Sequence, residues 1–369
     1  MSGQLLWLTL AHTPGLGPTG CRRLLAHFGE IEPIFAAKTG ELQAVAGIGP
    51  KVARAVAERT AMPQAEAELA KASKAGVHCL AFSDPAYPTL LREIADPPLV
   101  LYAKGNPELL SRPSIAVVGA RAATIYGKKM AENFAAALAR VGLTVTSGLA
   151  LGIDTCAHQG ALAANGATIA VLGCGLDVIY PPQNKKLFAM IATSGMLLSE
   201  YPLGTQPDSF RFPARNRIIS GISQGVVVIE AAGRSGSLIT AEFALEQGRE
   251  VFAMPGRVDS GKSEGCHRLI QEGAKLVQRA EDILSELGAM LPEQTGATST
   301  PALAAGPTKP PTATEAAILA VLDHYPRDIE EIIAACGLPA HTVTAALLGL
   351  ELSGRVEASP GPQYRLNGQ

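Results

Sequence analysis

Short apolar runs, each bounded by glycine or polar turns, recur through the middle of the chain. They read as strands over Val77–Phe82, Leu99–Ala103, Ile115–Val118, Leu143–Thr146, Thr168–Leu172, Met196–Ser199, Val226–Glu230, Glu250–Ala253 and Lys275–Val277. Helix-length segments separate them. Strands that are apolar at every position, rather than alternately, belong to a parallel sheet covered on both faces. The pattern predicts an α/β fold whose central domain, residues 66–288, is doubly wound and Rossmann-like.

The flanks differ. Residues 1–65 have helical spacing and two similar turns, Pro14-Gly-Leu-Gly-Pro18 and Ala46-Gly-Ile-Gly-Pro-Lys51, each followed by a helix. A Gly-apolar-Gly hairpin turns tightly and leaves amides outward at a helix N-terminus, so this head resembles a SAM-like or helix-hairpin-helix domain. The hairpins either grip a phosphate backbone or simply close a small helical domain. Residues 289–312 are rich in Pro, Ala and Thr and read as an extended linker. Residues 313–369 read as three helices (Ala313–His324, Asp328–Cys336, Ala340–Leu352) and a ribbon over Val356–Leu366, an order that suggests a winged-helix-like domain.

Composition narrows this picture little. A chain of 369 residues, 47% hydrophobic and 17% charged, is expected to form two or three globular domains. The net charge of −2 averages over local patches and does not exclude a polyanionic partner. The cysteines (Cys21, Cys79, Cys156, Cys174, Cys266, Cys336) form no C-x-x-C pair, which suits buried thiols in a reducing compartment better than a zinc site. No signal-peptide pattern and no membrane-spanning apolar run is apparent, so a cytoplasmic protein without membrane contact is expected.

The candidate chemistry lies in the turns after the strands, where doubly wound sheets bind ligands. These are Gly119-Ala-Arg-Ala-Ala-Thr124, Ser147-Gly-Leu-Ala-Leu-Gly-Ile-Asp154, Gly173–Asn184 followed by Lys185 and Lys186, Gly233-Arg-Ser-Gly-Ser237, and Met254-Pro-Gly-Arg257. Gly119, Ser147, Gly148, Ser235, Gly236 and Ser237 offer amides and hydroxyls suited to phosphate oxygens. Arg121, Arg234, Arg257 and the lysine pair add charge. Phe210-Arg-Phe-Pro-Ala-Arg-Asn-Arg217 adds Arg211, Arg215 and Arg217, a cluster that is either a solvated, salt-bridged turn or a site for an anionic partner, the second favoured by the neighbouring turns. A basic rim of this length fits a polymer better than one phosphate.

Enzyme signatures are weak. Gly119-Ala-Arg-Ala-Ala-Thr124 lacks the later glycines of a dinucleotide fingerprint, no Walker phosphate loop occurs, and Ser237 stands where a nucleophile elbow needs glycine. Asp154 and His158, four residues apart, read as a capping acid and a packed imidazole rather than a metal pair. The alternative to a polymer binder is an enzyme or sensor of nucleotide phosphates, using the amides of Ser235–Ser237 with Glu230 or Glu242 as base. A purely architectural adaptor is a third reading.

Several strings taken in order resemble the DprA/Smf family of DNA-processing proteins. They are Ile115-Ala-Val-Val-Gly-Ala-Arg121, Ser147–Asp154 with Ala157-His-Gln-Gly160, Val171–Pro181, Ser199-Glu-Tyr-Pro-Leu-Gly204, Phe212–Gly221, Arg234–Ala241 and Val251–Gly256. The resemblance implies a homodimer that binds single-stranded DNA without sequence preference and helps load the RecA recombinase, with no cofactor and no established catalysis. By position it implies DNA-facing roles for Arg121, Arg215 and Arg217, with Lys185 and Lys186 as additions and Arg211 outside the motif. The helix Ala340–Leu352 carries no Arg, Lys, Asn or Gln, so it is expected to dock a protein rather than read base edges.

Overall fold

The computed structural model describes residues 3–288, 312–323, 327–353, 355–359 and 362–366. Contacts divide the chain into two units, Met1–Glu293 and Gln294–Gln369. His324 and linker residues 289–311 lie outside the described residues.

The first unit opens with the helices α1 (Gly3–His12), α2 (Pro18–Phe28), α3 (Ile31–Ala36), α4 (Thr39–Gln43), α5 (Pro50–Ala57) and α6 (Met62–Lys74). The two glycine hairpins precede α2 and α5, each with proline in the first turn, where its missing N–H removes no helix bond. The boundary expected at residue 65 falls inside α6.

The strands follow as β1 (His78–Ala81), β2 (Val100–Gly105), β3 (Ser114–Val118), β4 (Thr144–Ser147), β5 (Thr168–Leu172), β6 (Met196–Ser199), β7 (Gly225–Val228), β8 (Glu250–Ala253) and β9 (Lys275–Leu276). Between them lie α7 (Thr89–Arg92), α8 (Ile125–Arg140), α9 (Ile153–Ala163), α10 (Lys185–Ser194), α11 (Arg211–Gly221), α12 (Gly236–Glu246) and α13 (Glu264–Gln271), with α14 (Ala280–Leu287) last. All nine expected strands are present, in the order β1-β2-β6-β5-β4-β3-β7-β8-β9. One expectation needs correcting. The sheet is parallel only from β6 to β9, because β2 runs antiparallel to β6 and β1 antiparallel to β2.

Strand alternation sorts the core. Ala116 and Val118 of β3, Val226 and Val228 of β7 and Ile169 and Val171 of β5 share one face with Ile218 and Ile219 of α11 and Leu238 of α12. Ile115, Val117 and Val227 face the other way, against α8, α9 and α14. At the β1–β2 end that second face is covered by the head, where Leu6, Leu10 and Leu24 join Cys79, Ala81 and Tyr102. The head thus supplies the helical layer that a crossover helix supplies elsewhere.

The second unit contains α15 (Ala313–Val321), β10 (Arg327–Asp328), α16 (Ile329–Cys336), α17 (Ala340–Leu352), β11 (Val356–Ser359) and β12 (Gln363–Leu366). Its sheet runs β10-β12-β11, and its core gathers Ile318, Ile332, Val343, Leu347 and Val356. This is a winged helix, with Thr312 and Asp328 capping α15 and α16.

His158 of α9 is fully buried. Its Nδ1 lies 2.7 Å from Thr168 Oγ1, which donates to the Val145 carbonyl, so Nδ1 carries a proton, while Nε2 is buried without a partner among the described residues. Burial, reinforced by the charge of Arg215, lowers its pKa to about 3 from 6.5. The unfolded chain therefore takes up this proton first as pH falls. Stability is lost from about pH 6.5 downward, by about 1.4 kcal/mol per unit. Urea midpoints at neutral pH and near pH 5 should show a loss of about 2 kcal/mol that His158→Gln removes; an equal loss in the variant would contradict this.

Candidate functional site

Strand order locates the site. From β3 the chain winds outward through β4, β5 and β6, then returns to place β7 on the other side of β3. The loops leaving β3 and β7 therefore diverge, which opens a crevice at their carboxyl ends. A cleft of about 730 Å³ lies there, lined by Arg121, Phe212, Arg215, Asn216, Arg234 and Ser237 among others.

The β3 loop is fixed at both ends. Ala120 N donates to the Glu230 carbonyl at 2.7 Å. Thr124 N donates to the Glu230 carboxylate at 3.0 Å and Thr124 Oγ1 donates to it as well. That carboxylate sits where α8 begins, so it meets the positive end of the helix dipole. Glu230 is therefore a clasp for the Arg121 loop. The sequence alone gave it no partner.

Arg121 projects from this loop, exposed, with its Cζ 5.3 Å from the centre of the Phe212 ring. Tyr180, from the loop after β5, stacks on the other partner, 5.4 Å from Phe212 at an interplanar angle of 23°. A guanidinium and two rings thus form one wall of the cleft. On the opposite side, Ser235 caps α12, and its Oγ lies 2.8 Å from that of Ser237. No acidic residue occupies the first turn of α12, whose positive end faces the cleft. Neither Arg121 nor Arg234 has an ion-pair partner among the described residues. Asp208 and Asp154 also line the cleft, so its charge is mixed.

The arginine cluster departs from expectation because residues 211–221 are helical. At 100° per residue, Arg215 and Arg217 point to opposite sides of α11. Arg215 is only 4% exposed. Its Nη1 donates to Gly148 O at 2.7 Å and to Val171 O, which ties α11 to the ends of β4 and β5. Burial lowers its pKa to about 10, against the pull of Asp154. Asp154 accepts from Gly148 N and Ala150 N; burial raises its pKa, opposed first by Arg215.

Arg217 does not reach the cleft. It pairs with Glu200 at 2.6 Å and Asp96 at 3.4 Å, and Asp96 also meets Arg22 of the head at 3.6 Å. For Arg217 the fold itself supplies the anions.

Gly119, Arg121, Arg215, Arg234, Ser235, Gly236 and Ser237 come together at the cleft. Other expected residues do not. Ser147 is buried and donates to Val117 O, a strut between strands. Gly148 lines only an inner recess, and a Cβ there would lie 2.5 Å from the Arg215 guanidinium. Its missing side chain makes room for arginine rather than for phosphate. Lys185 and Lys186 are exposed at the start of α10, outside the cleft lining. Arg257 pairs with Asp259. The residues that sequence reasoning missed are Phe212 and Tyr180. Phe212 carried a signal, an aromatic interleaved with arginines, whereas nothing around Tyr180 marked it.

A Rossmann-like core with an arginine- and aromatic-lined switch-point cleft, carrying a helix-hairpin-helix head and a winged-helix tail, defines the class. The family model for DNA recombination-mediator protein A matches residues 78–288, the DprA winged helix domain matches 302–362, and a helix-hairpin-helix motif matches 10–67. The chain belongs to the DprA/Smf family of DNA-processing proteins. Protein Smf of Synechocystis sp. is 38% identical over 99% of both chains. DNA processing protein DprA of Streptococcus pneumoniae is 54% identical over 55% of this chain and 72% of its own. The crystal structure of the S. pneumoniae protein aligns with a TM-score of 0.69 at 43% identity, covering 78% of this chain and 98% of that one. DprA of Helicobacter pylori, whose structure describes a single-stranded DNA binding mode, aligns with a TM-score of 0.53 at 32% identity over 58% of this chain and 97% of its own.

Gly152 bears on the Arg121 loop. It has φ +83°, and a Cβ would lie 2.2 Å from Ala120 O and 2.4 Å from Arg121 O. Gly152→Ala should lower unfolding stability by at least about 2 kcal/mol and displace the loop. Chemical denaturation checks this; an unchanged midpoint would contradict the close approach.

Proposed function

We propose that the cleft holds single-stranded DNA without regard to sequence. The observation that carries this reading is the Arg121–Phe212–Tyr180 stack beside unpaired Arg234 and the α12 N-terminus. Rings accept any base face, while guanidinium and amides accept the phosphates. The single-stranded DNA binding of the H. pylori relative supports it. On this reading the protein is a non-enzymatic homodimer that protects DNA and helps load RecA during recombination or natural transformation. RecA filament growth on oligonucleotide precoated with single-strand binding protein should quicken when the chain is added.

The nucleotide-enzyme alternative is weakened by Glu230, whose carboxylate is engaged by Thr124 and so is not a free base. Glu242 is exposed on α12 and absent from the cleft lining.

The two arginines separate the reading from mere positive charge. Arg121→Ala should weaken all oligonucleotides alike and flatten the dependence of log K on log salt by about 0.7. Arg217→Ala should leave that slope intact while lowering stability by about 3 kcal/mol, because Glu200 and Asp96 lose their counter-ion. Salt titrations and urea midpoints check both; a flattened slope only for Arg217→Ala would place DNA elsewhere.

A further inference from the structure

Arg211 begins α11 but does not line the cleft, although Pro207, Asp208, Ser209, Phe212 and Pro213 around it do. Its side chain leaves on the outer side of that wall. There its Cζ lies 5.1 Å from the centre of the Phe210 ring and 5.3 Å from that of Tyr201. One nitrogen donates to the Gln206 carbonyl, and no carboxylate pairs with it among the described residues. Phe210 is 63% exposed. A guanidinium held between two rings, without a counter-ion and beside a ring left in water, contributes little to the fold.

The group repeats the composition of the cleft wall. Phe210 and Phe212 are two residues apart, a reach of at most about 7 Å along the backbone. Asp208, the only acid among residues 207–213, lies on the cleft side. The loop carrying Tyr201 is fixed from the head, where Lys71 Nζ donates to Leu203 O at 2.7 Å and Glu68 Oε1 accepts from Leu203 N at 2.8 Å.

We infer that Phe210, Arg211 and Tyr201 form a second base-stacking platform, which takes the next nucleotides of a single strand leaving the cleft toward the head. The inference rests on the cleft binding single-stranded DNA. It assigns a DNA contact to Arg211 and gives the head an indirect part in binding, through the loop it holds.

Fluorescence anisotropy on the full chain, with oligothymidylates of about 4 and about 16 nucleotides, tests it. Phe210→Ala should weaken the long oligonucleotide about 5- to 100-fold with an unchanged salt slope. Arg211→Ala should weaken it and also flatten the slope by about 0.7. Neither should change binding of the short one. Unchanged binding of the long oligonucleotide, or equal losses for both lengths, would overturn the platform. Arg121→Ala run in parallel reports on the cleft itself. If it leaves both lengths bound, the cleft reading fails; if it weakens both while Phe210→Ala does nothing, only the platform fails.

Discussion

A buried guanidinium sets the geometry of this molecule's site. Arg215 leaves water to donate to backbone carbonyls at the ends of β4 and β5. Desolvating a charge is costly unless hydrogen bonds and an opposite charge offset it. Here the carbonyls of Gly148 and Val171 and the field of Asp154 do so. The contact fixes the rotation of α11 about its axis, and the rest follows from helical geometry. Phe212, three residues earlier, faces the cleft and meets Arg121 and Tyr180. Arg217, two residues later, faces away toward Glu200, Asp96 and the head. One helix thus presents stacking surface on one side and a structural ion-pair network on the other.

Charge pairing, read together with position at the cleft, separates the roles of the cations better than their number does. Arg217, Arg268 and Arg257 have carboxylates of the same unit within 4 Å. Arg121, Arg211 and Arg234 have none among the described residues. A net charge of −2 is compatible with a nucleic-acid cleft, because binding depends on where cations without a paired carboxylate, such as Arg121 and Arg234, are placed rather than on the total.

Much of the fold was legible in the sequence because the strands are apolar at every position. Thr168–Leu172 and Ser114–Val118 are buried throughout, as such runs require. The antiparallel β1 and β2 were not legible, since pairing direction leaves no trace in a short apolar run. The site was legible in residue type and much less in placement. Residues 211–217 include Pro213, and their polar positions show little helical periodicity, so the opposed faces of Arg215 and Arg217 could not be read. Proline in the first turn is nonetheless compatible with a helix. Gly148 shows the same limit: glycine at a turn suits a phosphate or a buried side chain equally, and only the structure shows the guanidinium that fills the space.

Photo-crosslinking most directly tests a strand bound in the switch-point cleft. An oligothymidylate carrying photoreactive bases would be irradiated with the full chain and the adducts mapped by mass spectrometry. Adducts on Phe212 and Tyr180 that vanish in Arg121→Ala are the expected result. Adducts confined to α17 or the head hairpins, with Phe212 and Tyr180 unmodified, would contradict it.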